Sequence, residues 1–164
     1  MRFYHYTTKA GANGITQNAL QQAVTAESEP WQCRESQPQI WVDHSKQHPK
    51  GFYLTTLSPE QIVAGAEGKE KKKAGQKKRK TGINDLEDPY VLVFDLPWVT
   101  PKKISKVDDS VNNGDRKIKK VGEPEKFCAT RINQQHLGSD DVVVPFELSE
   151  CKWAGPAGSV PKQI

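Results

Sequence analysis

Residues 3–7 read Phe3-Tyr4-His5-Tyr6-Thr7, "FYHYT", and residues 51–56 read Gly51-Phe52-Tyr53-Leu54-Thr55-Thr56, "GFYLTT". Both are aromatic and β-branched runs that end in threonine, so both predict strands with a pleated, half-buried surface. A strand that only fills a core uses Val, Ile and Leu. Tyrosines on both sides of a histidine need another explanation.

Outward from these two runs the chain alternates between ordered and loop-like stretches. Thr7 or Thr8 can cap a short helix over "KAGANGITQNAL", weakened by Gly11 and Gly14. Residues 27–50, rich in Pro, Gln, Ser and His, read as a long loop with Trp31 and Trp41 as anchors. Ser58-Pro59-Glu60-Gln61 is a sharp helix start, with Ser58 as cap, Pro59 at the first helical position and Gln61 closing a capping box. Tyr90–Trp98, "YVLVFDLPW", is an apolar run that predicts a buried strand, and a weaker strand is expected at Lys103–Val107. "VDDSVNNGDRK" is turn chemistry, with the reversal expected at Asn113-Gly114. "KFCATRI" (126–132) and "DVVVPFEL" (141–148) predict further strands, the second interrupted by Pro145, and the tail "GPAGSVPKQI" reads as frayed. Two helices near the front and several strands behind describe an α+β domain over 1–164 without internal repeats.

Composition narrows the function classes. Apolar residues make up 35% and charged residues 27%, with a mean hydropathy of −0.75, so a soluble protein with a modest core is expected. No run approaches the ~20 apolar residues of a membrane span, and no signal pattern opens the chain. Cys33, Cys128 and Cys151 are too scattered for a disulfide framework or a thiolate metal site. The expected setting is therefore a reducing cytoplasm, of its own cell or of a cell into which it is delivered. The net charge of +4 hides an asymmetry: "KEKKKAGQKKRK" (69–80) holds eight Lys or Arg and one Glu, 8 − 1 = +7, which leaves 4 − 7 = −3 for the remainder. Residues 66–89 thus read as a basic, mobile insertion.

Elimination removes several chemistries. His44 and His48 are spaced i, i+4, but the proline after His48 argues against the helix a zinc pair needs, so no metal site is expected. Neither Gly-x-Ser-x-Gly nor a Gly-x-Gly-x-x-Gly or Walker lysine occurs. On its own, His5 reads as a strand histidine donating a ring N–H to a backbone carbonyl. Asp140-Asp141 stands at the mouth of an apolar strand after a polar loop, where site residues concentrate, although in isolation solvated strand-entrance charge is the better explanation.

Taken in order, "FYHYT…AGANGI", "GFYLTTLSPEQ" and a late strand opened by an aspartate resemble the ADP-ribosyltransferase superfamily, most nearly its bacterial toxin branch named for a His-Tyr-Asp signature. The resemblance implies a split β-sandwich around a cleft for NAD+, with two short helices in the N-terminal half and no metal. It implies that His5 hydrogen-bonds the adenosine-side ribose, that Tyr53 stacks on the nicotinamide, and that Tyr6, Thr7, Gly51 and Thr55 line the same groove. Asp141 would be the carboxylate that stabilises the cationic ribose, with Asp140 and then Glu147 as alternatives. Asn133–Asp140, including Gln134 and Gln135, would be the acceptor loop. RNA 2′-phosphotransferases, which resemble the same superfamily, lean on several arginines, whereas Arg2 and Arg131 are the only arginines in expected strands here.

The expected activity is cleavage of the nicotinamide–ribose bond of NAD+ and transfer of ADP-ribose to a macromolecule. Lys77, Lys78 and Arg79 in the basic tract tip the expected acceptor toward nucleic acid rather than a protein side chain. An NAD+ glycohydrolase using water, and a non-catalytic nucleic-acid-binding domain on the same fold, are the alternatives. A toxin of this type implies a neutralising antitoxin or immunity protein, and no membrane partner.

Overall fold

The computed structural model describes residues 1–13, 32–34, 51–62, 89–132, 141–143, 145–146 and 148–164. These form a mixed α/β arrangement built on an antiparallel sheet. The strands are β1 (Arg2–Thr7), β2 (Gln32–Arg34), β3 (Phe52–Thr55), β4 (Tyr90–Asp95), β5 (Ser110–Asn113), β6 (Arg116–Gly122), β7 (Lys126–Arg131), β8 (Asp141–Val143) and β9 (Cys151–Pro156). Seven of them make one sheet in the order β5-β6-β7-β3-β1-β4-β9, and β2 pairs with β8 in a separate two-stranded ribbon.

Period-two alternation decides which residues meet. From β1, Phe3 and His5 face one side and Tyr4 and Tyr6 the other, because successive strand side chains point to opposite faces. One apolar cluster gathers Phe3, Phe52, Leu54, Phe94, Phe127 and Phe146. A smaller one gathers Tyr6, Val91 and Val93, with Tyr4 and Trp153 against it. Fully burying a side chain of this size contributes roughly 1.5–3 kcal/mol, so the phenylalanine cluster dominates stability. Phe146 seals it, with its ring 4.6 Å from Phe94 and 5.6 Å from Phe52.

The sheet curls around that cluster. Arg116, in β6, forms an ion pair at 2.7 Å with Glu150, the residue before β9, and stands 5.2 Å over the Trp98 ring. β6 and β9 are five strand steps apart, about 24 Å in a flat sheet. The half β5-β6-β7-β3 must therefore bend back toward the half β1-β4-β9, with the phenylalanines inside. The seam between the halves is thin. β1 meets β4 along its whole length, from Arg2↔Asp95 to Thr7↔Tyr90, but meets β3 at one register pair, Tyr4↔Thr55.

Local expectations fare unevenly. Residues 9–13 are helical, capped by Thr8 Oγ1, which accepts from Gly11 N at 3.0 Å. The Ser58 capping box is complete: Ser58 N donates to Gln61 Oε1 at 2.8 Å and Gln61 N to Ser58 Oγ at 3.3 Å, opening the helix at 59–62. Lys103–Val107 is not a strand. The Asp109 carboxylate accepts from Ser105 N and Lys106 N and wraps these residues into turns, leaving Ile104 to plug the core. The reversal near Asn113 is a hairpin whose loop is Gly114-Asp115, with Gly114 at φ 63°, and its flanks are strands rather than loop. The tail is not frayed at its start, since β9 pairs with β4 from Tyr90↔Pro156 to Phe94↔Cys151. Arginine occurs in more strands than expected, with Arg116 opening β6 and Arg34 ending β2. The tract 69–80, Trp31 and Trp41 lie outside the described residues.

Candidate functional site

At the seam between β1 and β3, the His5 ring replaces a backbone rung. Its Nδ1–H donates to the Tyr53 carbonyl at 2.8 Å; the carbonyl can only accept, so Nδ1 carries the proton and Nε2 is left as an acceptor. The ring stacks on Phe52, centroids 4.1 Å apart at 25°, and is 1% exposed. Burial pulls its pKa down to about 4 against the opposing effect of the hydrogen bond it donates to the Tyr53 carbonyl, so His5 is neutral at physiological pH. Among the described residues Nε2 has no hydrogen-bond partner, and neither has Thr7 Oγ1, two residues along on the same face. Two buried, unpartnered polar atoms on one strand face are costly, each by about 1–3 kcal/mol. That cost calls for a hydroxyl or water from beyond the described residues.

Gly11 confines Thr7 from the helix side. A Cβ there would overlap Thr7 Oγ1, so only glycine lets the first helical turn lie across the end of β1.

The remaining expected groove residues have internal roles. Tyr6 is buried and its hydroxyl donates to the Leu57 carbonyl at 2.9 Å, burial pushing its pKa well up. Thr55 Oγ1 accepts from Leu57 N at 3.1 Å, closing the turn after β3. Gly51 is glycine because a Cβ would press on Cys128, Thr130 and the Ala129 carbonyl. Tyr53 is half-buried and opposite Cys128. Phe52 stacks on His5, so the next residue along the strand, Tyr53, turns its ring to the outer face. His5 and Tyr53 therefore meet ring to carbonyl, and the two rings lie on opposite faces of the sheet.

Asp141 does open a late strand, its backbone opposite Arg34 in the β2–β8 ribbon; its carboxylate is outside the described atoms. The chain leaving β8 is tied to the His5 neighbourhood through Phe146, which touches the same Phe52 ring that His5 stacks on. Asp140, Glu147, Gln134, Gln135, Lys77, Lys78 and Arg79 lie outside the described residues. The strand arginines Arg2 and Arg131 are held by Asp95 at 2.9 Å and Asp115 at 2.8 Å.

Sequence reasoning missed one buried cation. Lys120 is 4% exposed and its ammonium meets Glu123 at 2.7 Å and Glu125 at 3.4 Å; Glu125 also accepts from Thr56 Oγ1 at 3.1 Å. The hydrogen bond to Glu123 leads in raising its pKa, so it stays charged. In "RKIKKVG" the charges hide a strand, and only the alternation of Ile118 and Lys120 marks the inward face.

Among the described residues no group of three or more His, Cys, Asp or Glu is placed to hold a metal ion, and no helix is long and apolar enough to cross a membrane. No protein-family model, curated protein or solved structure matches the chain.

Proposed function

We propose that this chain is an NAD+-dependent ADP-ribosyltransferase of the toxin or effector kind, on a split sandwich made by the two halves of the curled sheet. The observation that carries the reading is His5. A neutral, fully buried imidazole, with its tautomer fixed by the Tyr53 carbonyl and its Nε2 unpartnered, is an acceptor for a sugar hydroxyl. Thr7 Oγ1, two residues along on the same face, offers both a donor and an acceptor to a second hydroxyl of the ligand. The thin β1–β3 seam supports a ligand crossing between the halves.

In this reading the Tyr53 carbonyl orients His5 from one side, while the Tyr53 ring waits at the outer mouth of the seam for the nicotinamide. Asp141 supplies the carboxylate that stabilises positive charge on the anomeric carbon as the nicotinamide–ribose bond breaks. Removing one such electrostatic partner in other enzymes costs about 10²–10³ in rate. The acceptor then bonds to the anomeric carbon, nicotinamide leaves with the bond's electron pair, and the acceptor's proton goes to solvent.

The test incubates the protein with NAD+ labelled in its adenylate half, together with RNA, DNA or cell lysate, and measures both released nicotinamide and label on each pool. Label on one pool supports transfer, and Asp141→Asn should lower it by at least ~10². Free ADP-ribose without labelled acceptor makes water the acceptor and replaces transferase by glycohydrolase. Absence of nicotinamide release from folded protein with every pool overturns the enzymatic reading.

A further inference from the structure

The outer face of the half-sheet β5-β6-β7-β3 sorts its charge in a way the fold does not require. Register places Tyr53, Cys128, Lys119 and Ser110 in one row across four strands, and Thr130, Lys117 and Asn112 in the next. Lys126, opposite Thr55, stands in the row on the other side. Three lysines and no carboxylate come from these strand positions. On the inner face every cation is matched: Lys120 with Glu123 and Glu125, Arg116 with Glu150, Arg131 with Asp115. Lys117 forms no ion pair among the described residues, and Lys119, 38% exposed, has only Asp108 at 3.0 Å, itself 79% exposed and solvated. Cys128 and Thr55 are buried, but Ser110 and Asn112 are exposed and Lys117, Lys119 and Thr130 half-buried, so around the two buried positions the rows present ammonium, hydroxyl and amide groups to solvent.

We infer that this face docks a single strand of nucleic acid, the acceptor chain in the proposed transfer. The identification of the strand as acceptor rests on the proposed function; the docking itself does not. Charge complementarity selects a polyanion, since lysines held without strand carboxylates neutralise phosphates and release counterions. Breadth selects a single strand, because a duplex groove admits a helix or a two-stranded ribbon and not a four-stranded face, whereas unpaired nucleotides lie along a sheet and stack on its aromatics. Lys117 and Lys119, two residues apart, stand about 6.7 Å apart along β6, suited to successive phosphates of an extended strand. The row through Lys119 crosses the sheet to Tyr53, two strands and about 10 Å away, so a strand held along β6 passes within a base's reach of the outer mouth of the seam.

Fluorescence anisotropy with labelled 12-nucleotide RNA and DNA single strands, and with a duplex of the same sequence, tests this without NAD+. Wild type and Lys117→Ala/Lys119→Ala are compared between 50 and 200 mM salt, each in a second version with the lysines and arginine of residues 69–80 changed to glutamine. Removing one lysine that neutralises a phosphate of a single strand lowers the slope of log K against log salt by about 0.7, so the double alanine variant should show a slope shallower by about 1.4 in both backgrounds. Single strands should bind more tightly than the duplex, and RNA against DNA names the natural strand. An unchanged slope in the alanine variant, preference for the duplex, or binding abolished by the 69–80 changes alone overturns the proposal. Because this binding assay needs no NAD+, strand binding here together with no nicotinamide release in the NAD+ incubation sinks the transferase and leaves the docking face. Nicotinamide release without strand binding does the reverse.

Discussion

Holding His5 neutral in the core must make the protein sensitive to acid. The unfolded histidine titrates near 6.5, while burial pulls the native ring down to about 4. Below pH 6.5 the unfolded chain gains a proton that the native state refuses. Stability is therefore fully present above the unfolded pKa and falls as the pH drops toward the native one. Linkage over that interval gives a loss from His5 alone of about 2 kcal/mol by pH 5 and about 3 kcal/mol by pH 4. For a domain held by about 5–15 kcal/mol, this is a large share. Urea unfolding followed by tryptophan fluorescence, at intervals from pH 7.5 to 4, measures it. Carboxylates such as Asp95, whose pKa is lowered chiefly by its hydrogen bond from Arg2, add a loss of their own at the acid end, where the unfolded chain begins to protonate before the native one. They cancel when wild type is compared with His5→Asn, whose amide N–H can still reach the Tyr53 carbonyl. The stability gap between the two should narrow by about 3 kcal/mol on going from pH 7.5 to 4. A gap that stays constant refutes the burial argument, as does an NMR titration placing the native His5 pKa near 6.5.

Three further outcomes are expected. Ser58→Ala removes half of a reciprocal cap and should cost about 1 kcal/mol, read as a lower urea midpoint with unchanged slope. Gly11→Ala should destabilise through the overlap with Thr7 Oγ1, and the double variant with Thr7→Ala should recover part of the loss; additive effects in that double-mutant cycle would contradict the close approach. Cys128 and Cys151 are thiols outside any disulfide, their pKa values pushed up by burial to about 12 and about 11. In a Cys33→Ser background both should therefore resist a disulfide reagent at pH 8 until urea exposes them, and rapid native labelling would contradict their burial.

Much of the fold was legible because its signals are local. The Ser58 box, the apolar run at Tyr90–Asp95 and the two aromatic strands each rest on residues close in sequence. What failed was context. "RKIKKVG" hid a strand because Lys120 is buried by partners three and five residues away, which no hydrophobicity pattern reports. β9 was lost because Gly155 and Pro156 look like tail chemistry until the neighbouring strand β4 is known; the Trp153 ring lies where a Gly155 side chain would stand. For the candidate site, sequence located His5 and Tyr53 but not their mutual orientation. Alternation along β3 turns Tyr53 away from His5, and only the stacking of Phe52 on the imidazole sets that phase. The bland expectation for His5, an N–H given to a backbone carbonyl, is also what the geometry contains; the unpartnered second nitrogen is what it adds.

The single rung between Tyr4 and Thr55 has a mechanical corollary. A sheet zipped along every other interface but fastened here by one clasp, one imidazole and the Tyr6 hydroxyl concentrates its compliance along one line. Tugged apart, the domain should part there first, into a four-strand leaf and a three-strand leaf that each keep their own ladders.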